Sequence, residues 1–294
     1  MSTNQVWLIT GASRGFGRSL AEAALNAGQR LIATARSTAS LEDLVERYGE
    51  QVRAVPLDVT DPAAAERAVD TAVAEFGRLD VVVNNAGYAN VAPIETTDPD
   101  DFRAQMETNF FGLVNVTRAA LPLFHRQRSG HFIQFASIGA RTGAPGLSAY
   151  QSAKWAVEGF SEVLSKEVSA FGVKVTIIEP GAFRTDWGGS SMEVGDYGPD
   201  YDATVGALAR HLRAATGSEP GDPGRAAQAI LTIAAAPEPP LRLLLGGSAY
   251  RTAQTVAQQR ADADARWREL TESADYPDAE HDDRGASIAL QSNA

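Results

Sequence analysis

The sequence predicts an α/β fold: one doubly wound domain with a seven-stranded parallel sheet, helices on both faces, and a lid after the sixth strand. Three observations predict it. Short apolar runs alternate with segments of helical apolar spacing from residue 6 to residue 246. The residues that follow these runs are glycine, serine, asparagine, aspartate, arginine or proline, so the chemically useful groups collect at one end of the expected sheet. At 294 residues with 44% hydrophobic residues, the chain can bury one large core.

Taken in order, VWLIT (Val6 to Thr10) is the first strand, a short run of the kind buried on both faces. GASRGFG follows, then a helix with Leu20, Ala23, Ala24 and Ala27 on one face, stopped by Gly28. LIATA (Leu31 to Ala35) is the second strand, and a short helix over 40–48 leads to the third, Val52 to Val59. Asp61-Pro62 reads as an N-cap with a first-turn proline, opening a helix that ends at Gly77. Leu79 to Asn85 is the fourth strand. Asp98-Pro99 opens a long helix towards Arg128, with a kink expected at Pro122. His131 to Ser137 is the fifth strand; a helix from near Ser148 to Phe171 follows, stopped by Gly172, and Val173 to Pro180 is the sixth strand. Residues 182–221, rich in Gly, Asp, Ser and Tyr, break the alternation and read as a lid with one helix near 204–215. Asp222-Pro223 caps another helix, Leu241 to Gly246 is the seventh strand, and a polar helix spans about 249–270. The expected domain is therefore residues 1–270, and 271–294 reads as a disordered acidic tail.

Composition narrows the function. The net charge is −11, and residues 262–283 alone hold nine acids and two arginines. This balance argues against a nucleic-acid groove. No Cys is present, so thiol chemistry and Cys-bound metals are excluded; the four His (125, 131, 211, 281) lack metal-ligand spacing. No apolar run is long enough to span a membrane and the N-terminus runs straight into a strand, so a cytoplasmic protein is expected.

The chemistry centres on residues 137–154. Tyr150 and Lys154, four apart, share one helix face, and Ser137 ends the strand before them. Hydroxyl, phenol and ammonium then converge on one cleft, a grouping suited to proton transfer at an oxygen. A free phenol titrates near 10, and lowering it by about three units needs roughly 4 kcal/mol. A neighbouring ammonium supplies part of that, and an oxidised nicotinamide would supply the rest. In the reductive direction the phenol need only donate its proton.

The glycine loop points to a dinucleotide. Gly11, Gly15 and Gly17, with Ser13, Arg14 and Phe16 between them, lie where a strand turns into a helix, so backbone N–H groups can approach a pyrophosphate. Arg36 follows the second strand directly, where a carboxylate would bind the ribose hydroxyl of NAD and an arginine suits the 2′-phosphate of NADP. Arg14 could reach the same phosphate. NADP is the expected cofactor, ahead of NAD.

Together, T-G-A-S-R-G-F-G (10–17), D-V (58–59), N-N-A-G (84–87), Asn109 in E-T-N-F-F-G, Ser137, Y-Q-S-A-K (150–154) and P-G (180–181) resemble the short-chain dehydrogenase/reductase family across about residues 5–250. The resemblance implies a Rossmann domain with Tyr150 as general acid/base, and with Lys154 binding the nicotinamide ribose and lowering the phenol's pKa. It also implies that Ser137 holds the substrate oxygen and that Asn109 anchors a water in a proton relay from Lys154. Asp58 and Val59 would line the adenine site, and Asn85, Ala86 and Gly87 would pass beside the adenosine ribose. Pro180 and Gly181 would border the cofactor, and Thr185 would contact the carboxamide. E-P-G-A-F-R-T-D-W (179–187) and R-T-G-A-P-G-L-S-A-Y (141–150) are similar to the group resembling 17β-hydroxysteroid dehydrogenases. Family members pair helices like those around 102–124 and 152–171, so a homo-oligomer, dimer or tetramer, is expected.

The substrate pocket is expected to be lined by Leu147, Phe183 and Trp187, with Tyr88, Val91, Met192 and Tyr197 as further candidates. These suggest a hydrophobic carbonyl or alcohol. Glu193, Asp196, Asp200 and Asp202 would disfavour an anion, with Arg141 and Arg184 as possible offsets. Two other classes use the same fold. A dinucleotide sensor would need no Tyr-Lys pair; a lyase or isomerase would need a further acid or base, for which the lid offers Asp186 and Glu193.

Overall fold

A computed structural model describes residues 4–189 and 192–276. Its contacts divide the chain into two units, Met1–Tyr250 and Arg251–Ala294. The first holds a seven-stranded sheet made of β1 (Val6–Ile9), β2 (Arg30–Ala35), β3 (Val52–Pro56), β4 (Val81–Asn84), β5 (Gly130–Phe135), β6 (Val173–Pro180) and β7 (Arg242–Leu245). The spatial order is β3-β2-β1-β4-β5-β6-β7 and every pairing is parallel. Strand order therefore reverses between β1 and β4, and a crevice opens beyond their C-terminal ends.

The strands are apolar on both faces because both faces are covered. Trp7 and Ile9 of β1 point into one core with Leu20 and Ala24 of α1 (Gly15–Asn26), Leu44 of α2 (Glu42–Tyr48) and Ile230 of a later helix (Pro223–Ala234). Val6 and Leu8 point the other way, towards Ala65 and Ala68 of α3 (Pro62–Phe76) and Val116 and Phe124 of a helix at Gly112–Gln127. Each large side chain so removed from water contributes about 1.5–3 kcal/mol.

The expected elements form with shifted ends. β3 stops at Pro56 rather than Val59, because Asp58 Oδ1 folds back to accept from Thr60 N at 3.0 Å and Thr60 Oγ1 at 2.8 Å. Asp61 caps α3 through Ala63 N, as Asp98 does for α4 (Pro99–Met106) through Asp100 N. The expected single helix from 98 to 128 is instead α4, a π turn at Glu107–Phe111, and α5 (Gly112–Gln127). Its irregularity lies at Asn109, and α5 continues through Pro122. The Tyr-Lys helix, α6 (Ser148–Val168), closes in a 3-10 turn before Gly172, whose φ is +72°. In the lid, α7 (Ala207–Ala215) follows a π turn at Asp202–Gly206. Asp222 then caps α8 (Pro223–Ala234) through Gly224 N and Arg225 N. The lid's base is closed by a bridge pairing Phe183 with Gly221, and its middle joins the loop after β4 through a bridge of Val91 with Val194.

The polar helix α9 (Gly247–Arg266) starts in the first unit, and α10 (Arg268–Glu272) belongs to the second. Most of the expected tail, residues 277–294, lies outside the described residues. Among the described residues no helix is long and apolar enough to cross a membrane.

Candidate active site

The ends of β1 and β4 are stitched together by Thr10. Its buried hydroxyl accepts from Asn85 N at 2.9 Å and Ala86 N at 3.0 Å, and donates to Val83 O at 3.3 Å. Asn85 Nδ2 returns the contact, donating to Thr10 O at 2.9 Å and Gly11 O at 3.3 Å. These bonds hold the crevice floor together. Gly11 and Gly15 sit at φ +66° and +55°. Gly17 is required by proximity: a Cβ there would lie 2.3 Å from the Gly11 carbonyl oxygen. Only glycine lets α1 start so close to β1. Arg14 occupies the N-cap of α1 in extended geometry without a side-chain cap, so the first N–H groups of the helix face the crevice. This cradle fits a pyrophosphate.

Arg36 leaves β2 beside this loop, close enough that its charge helps hold the Asp58 carboxyl below the usual range, after the two Thr60 contacts. Val59 fills the space that a Cβ on Gly112 would need, and its carbonyl accepts from Asn115 at 3.0 Å. Arg14 extends the other way, its guanidinium 3.8 Å from Asp186 of the lid. Thr185 stands over Gly15: a Cβ on that glycine would be 3.6 Å from the threonine Cβ. Gly181 donates to Leu245 O at 3.0 Å, and a Cβ on it would meet the Ser248 hydroxyl at 2.6 Å.

Asn109 sits in the π turn, 1% exposed. Its amide donates to Tyr88 O and Gln105 O, both at 2.8 Å, and its Oδ1 accepts from Tyr88 N at 3.2 Å. The side chain is thus committed to latching the loop after β4. Gly87 packs on it so tightly that a Cβ would lie 2.4 Å from Asn109 Oδ1 and 3.6 Å from Lys154 Nζ. Asn109 and Lys154 therefore flank one glycine.

Ser137, Tyr150 and Lys154 come together as their spacing predicts. Ser137 Oγ accepts from Gly139 N at 3.0 Å and stands near enough to the Tyr150 hydroxyl to act on its pKa. Lys154 Nζ donates to Phe135 O at 2.8 Å and lies 5.7 Å from the centre of the Tyr150 ring. The electrostatics differ from the sequence expectation. Burial pushes the Tyr150 phenol up to about 12, with the Ser137 contact opposing, and pulls the Lys154 ammonium down to about 8. Desolvation dominates here, so the site as folded holds a protonated phenol.

Above Tyr150 lies an apolar cluster of Ala89, Val91, Leu147, Met192, Val205 and Ala209, with Trp187 and Tyr197 against it. The Trp187 and Tyr150 rings are 5.3 Å apart. Leu147 and Trp187 thus gather over the phenol. Phe183 does not: it joins the main core, its ring 4.9 Å from that of Phe16, which also meets Phe135 at 5.6 Å. Tyr88 also stays outside the cluster, and burial raises its phenol. The possible offsets Arg141 and Arg184 are both engaged, with Glu179 and with Glu219 O.

The short chain dehydrogenase family model matches residues 5–193, well over half of the sequence. The chain belongs to the short chain dehydrogenase family. An oxidoreductase, BOA17 from Botryotinia fuckeliana, is 52% identical over 268 residues, covering 91% of this chain and 98% of that relative. A crystal structure of a short-chain dehydrogenase from Streptomyces avermitilis is similar at a TM-score of 0.88, with 39% identity over 93% of this chain and 100% of that one. A short chain dehydrogenase from Burkholderia cenocepacia in complex with NADP has a TM-score of 0.71 and 27% identity, covering 90% of this chain and 97% of its own. This short-chain dehydrogenase is accordingly an oxidoreductase with the Rossmann-like sheet of its relatives.

Two features of this dehydrogenase escaped the sequence reading. Thr10 stands inside the glycine motif, but its role depends on what β4 brings beside it. Glu179, fully buried, pairs with Arg141 across β6 and the loop after β5. Its signal was visible: a lone acid at the buried end of a mostly apolar strand needs a partner.

Proposed function

We propose that this short-chain dehydrogenase is an NADP-dependent carbonyl reductase or alcohol dehydrogenase for a hydrophobic substrate, with Tyr150 as general acid/base. The observation that carries the reading is the buried Tyr150 side chain, with Ser137 near enough to oppose the rise of its pKa, beneath an apolar roof and one helical turn from Lys154. NADP would supply or accept the hydride at its nicotinamide C4. In reduction, Ser137 Oγ holds the substrate oxygen and Tyr150 gives that oxygen its proton as the carbonyl π bond is broken. The alcohol O–H forms, and Tyr150 is left as phenolate. Lys154 stabilises that phenolate and receives relay protons past Asn109. In the alcohol-oxidising direction Tyr150 takes the proton instead, which requires its pKa to fall once positive charge is added beside it.

Gly11, Ser13, Gly15, Phe16 and Gly17 would present backbone to the pyrophosphate, and Asn85 to Gly87 would border the adenosine ribose. Asp58 and Val59 would line the adenine site, and Pro180, Gly181 and Thr185 the nicotinamide. Arg36 would bind the 2′-phosphate, while Arg14, expected to reach the same phosphate, is turned towards Asp186 of the lid. Leu147 and Trp187 would contact the apolar part of the substrate. Acids on the lid with Arg141 and Arg184 engaged elsewhere favour a neutral compound.

The test is NADPH consumption with a panel of apolar ketones, repeated with Tyr150→Phe. The variant should lose about 10²- to 10⁴-fold in kcat while binding NADPH almost as well, read by fluorescence titration. Retained turnover would remove Tyr150 from this role, and no consumption with any ketone would favour a non-reductive use of the site.

A further inference from the structure

Behind the site, three carboxylates and two guanidinium groups meet. Glu179 on β6 is fully buried, and Arg141 grips it with Nε at 2.5 Å and Nη2 at 2.6 Å. Glu158, on α6 one turn beyond Lys154, accepts from Arg242 Nε of β7 at 2.8 Å. Arg242 gives its Nη2 to Glu162 at 2.6 Å. The Glu158 carboxyl also lies within hydrogen-bonding reach of Glu179.

Fully ionised side chains leave two things unexplained. Two carboxylates offer only acceptors, so nothing bonds them without a proton. In addition, Glu158 Oε1 is buried with no donor. A buried, unpartnered, charged oxygen facing a second carboxylate is costly. A single proton removes both faults at once.

We propose that Glu158 carries a proton and donates it to Glu179, so that Arg242, Glu158, Glu179 and Arg141 form one hydrogen-bonded chain and Glu158 acts as a positioning residue for the active site. The chain ties together the parts that carry the site. Arg141 belongs to the loop four residues beyond Ser137, Glu158 to the helix of Tyr150 and Lys154, and Glu179 to the strand end at Pro180-Gly181. β7 anchors the assembly through Arg242. None of these four side chains is needed to touch substrate or cofactor; they set the distance between the groups that do.

The device is sensitive to pH. Burial first, and Glu179 second, push the Glu158 carboxyl up to about 7, with Arg242 opposing. The charged groups around it are Arg242 from β7, Glu179 from β6 with Arg141 behind it, and Lys154 and Glu162 one turn away on its own helix. Lys166 pairs with Glu162 further out. As pH rises through about 7 the proton leaves, the two carboxylates oppose each other, and the loop of Ser137 loses one of its ties to α6, keeping those from Trp155 to Gly139 O and from Ala144 N to Gln151. The folded state binds this proton more tightly than the unfolded chain, so stability falls as pH rises from about 4.5 to about 7 and is level above.

The test compares the full-length protein with Glu158→Gln, which keeps a donor towards Glu179 and cannot titrate. Infrared spectra of the wild type should show a protonated carboxylic acid below about pH 7 that disappears above it and is missing from E158Q. The Tm of the wild type should fall relative to E158Q between about pH 4.5 and 7 and run parallel beyond. Reductase kcat should drop about tenfold across pH 7 in the wild type and stay within about twofold in E158Q. Should E158Q fail to fold, Glu158→Met serves the same infrared subtraction. Absence of the acid band, or identical Tm and kcat profiles in the two proteins, would overturn the proposal. Its positional half rests on the roles proposed above for Ser137 and Tyr150; the proton does not, because infrared absorption and melting need no turnover. An acid band and a melting difference in a protein without reductase activity would uphold the proton and fault those roles.

Discussion

The proposed function asks opposite things of Tyr150 in the two directions of one reaction. Burial to about 12 suits the donor, and it leaves reduction insensitive to this group through the neutral range. Lys154 bears the cost of the same burial. With its ammonium pulled from 10.5 to about 8, keeping the charge near pH 7 costs on the order of 3 kcal/mol. The folded state binds this proton less tightly than the unfolded chain, so stability should rise with pH between about 8 and 10.5. Lys154→Met should therefore stabilise the fold by about 1–3 kcal/mol at neutral pH, erase that rise, and abolish turnover. Urea denaturation at neutral and alkaline pH checks it. Under the proposed function, Arg36 would decide the coenzyme. Arg36→Asp should lower the NADPH-to-NADH preference in kcat/KM by about tenfold or more, and an unchanged ratio would refute the phosphate contact. At this scale the motif-borne residues were legible because spacing alone puts Tyr150 and Lys154 on one helix face. The phenol's upward shift was not, since it depends on the lid that covers it.

Among the elements, the segment 98–128 is the most instructive. A proline inside a helical pattern suggests a bend, yet Pro122 and Arg118, whose carbonyl loses its partner, are both exposed. Water can serve that carbonyl, so α5 carries on. The break falls at Asn109, where a buried amide takes the carbonyls of Gln105 and Tyr88. No local propensity announces this, because half of the arrangement comes from the loop after β4. Asn109→Ala should leave the buried Gln105 carbonyl and the part-buried Tyr88 carbonyl short of donors, cost about 1–3 kcal/mol in denaturant unfolding, and weaken NADPH binding through the freed 87–88 loop. Caps were easier to read: Asp61, Asp98 and Asp222 each precede a proline and each accept from the first turn of their helices.

For the whole first unit, alternation of strand and helix was enough to predict a parallel sheet, and the reversal of order between β1 and β4 explains why the glycine loop and Asn85 share a crevice. The lid was legible only as a break in that alternation. Its closure depends on Gly146, at φ +80°, where a Cβ would lie 2.8 Å from both Val91 and Val205. Gly146→Ala should destabilise by about 1–3 kcal/mol and raise KM for the carbonyl compound several-fold while leaving the NADPH Kd unchanged; steady-state kinetics and a binding titration read the two separately.

The bridge of Phe183 with Gly221 has a consequence for how such an enzyme diversifies. It brings the two ends of the lid together at a single rung, with Arg184 N donating to Gly221 O at 3.0 Å and Gly221 N to Ala182 O at 3.1 Å. The segment between them is held at its middle to the loop after β4 by the Val91–Val194 bridge. Under the proposed function, exchanging residues 188–220 for another chain's insert should change which alcohols and ketones are accepted while Thr185 and the sheet beneath stay in place.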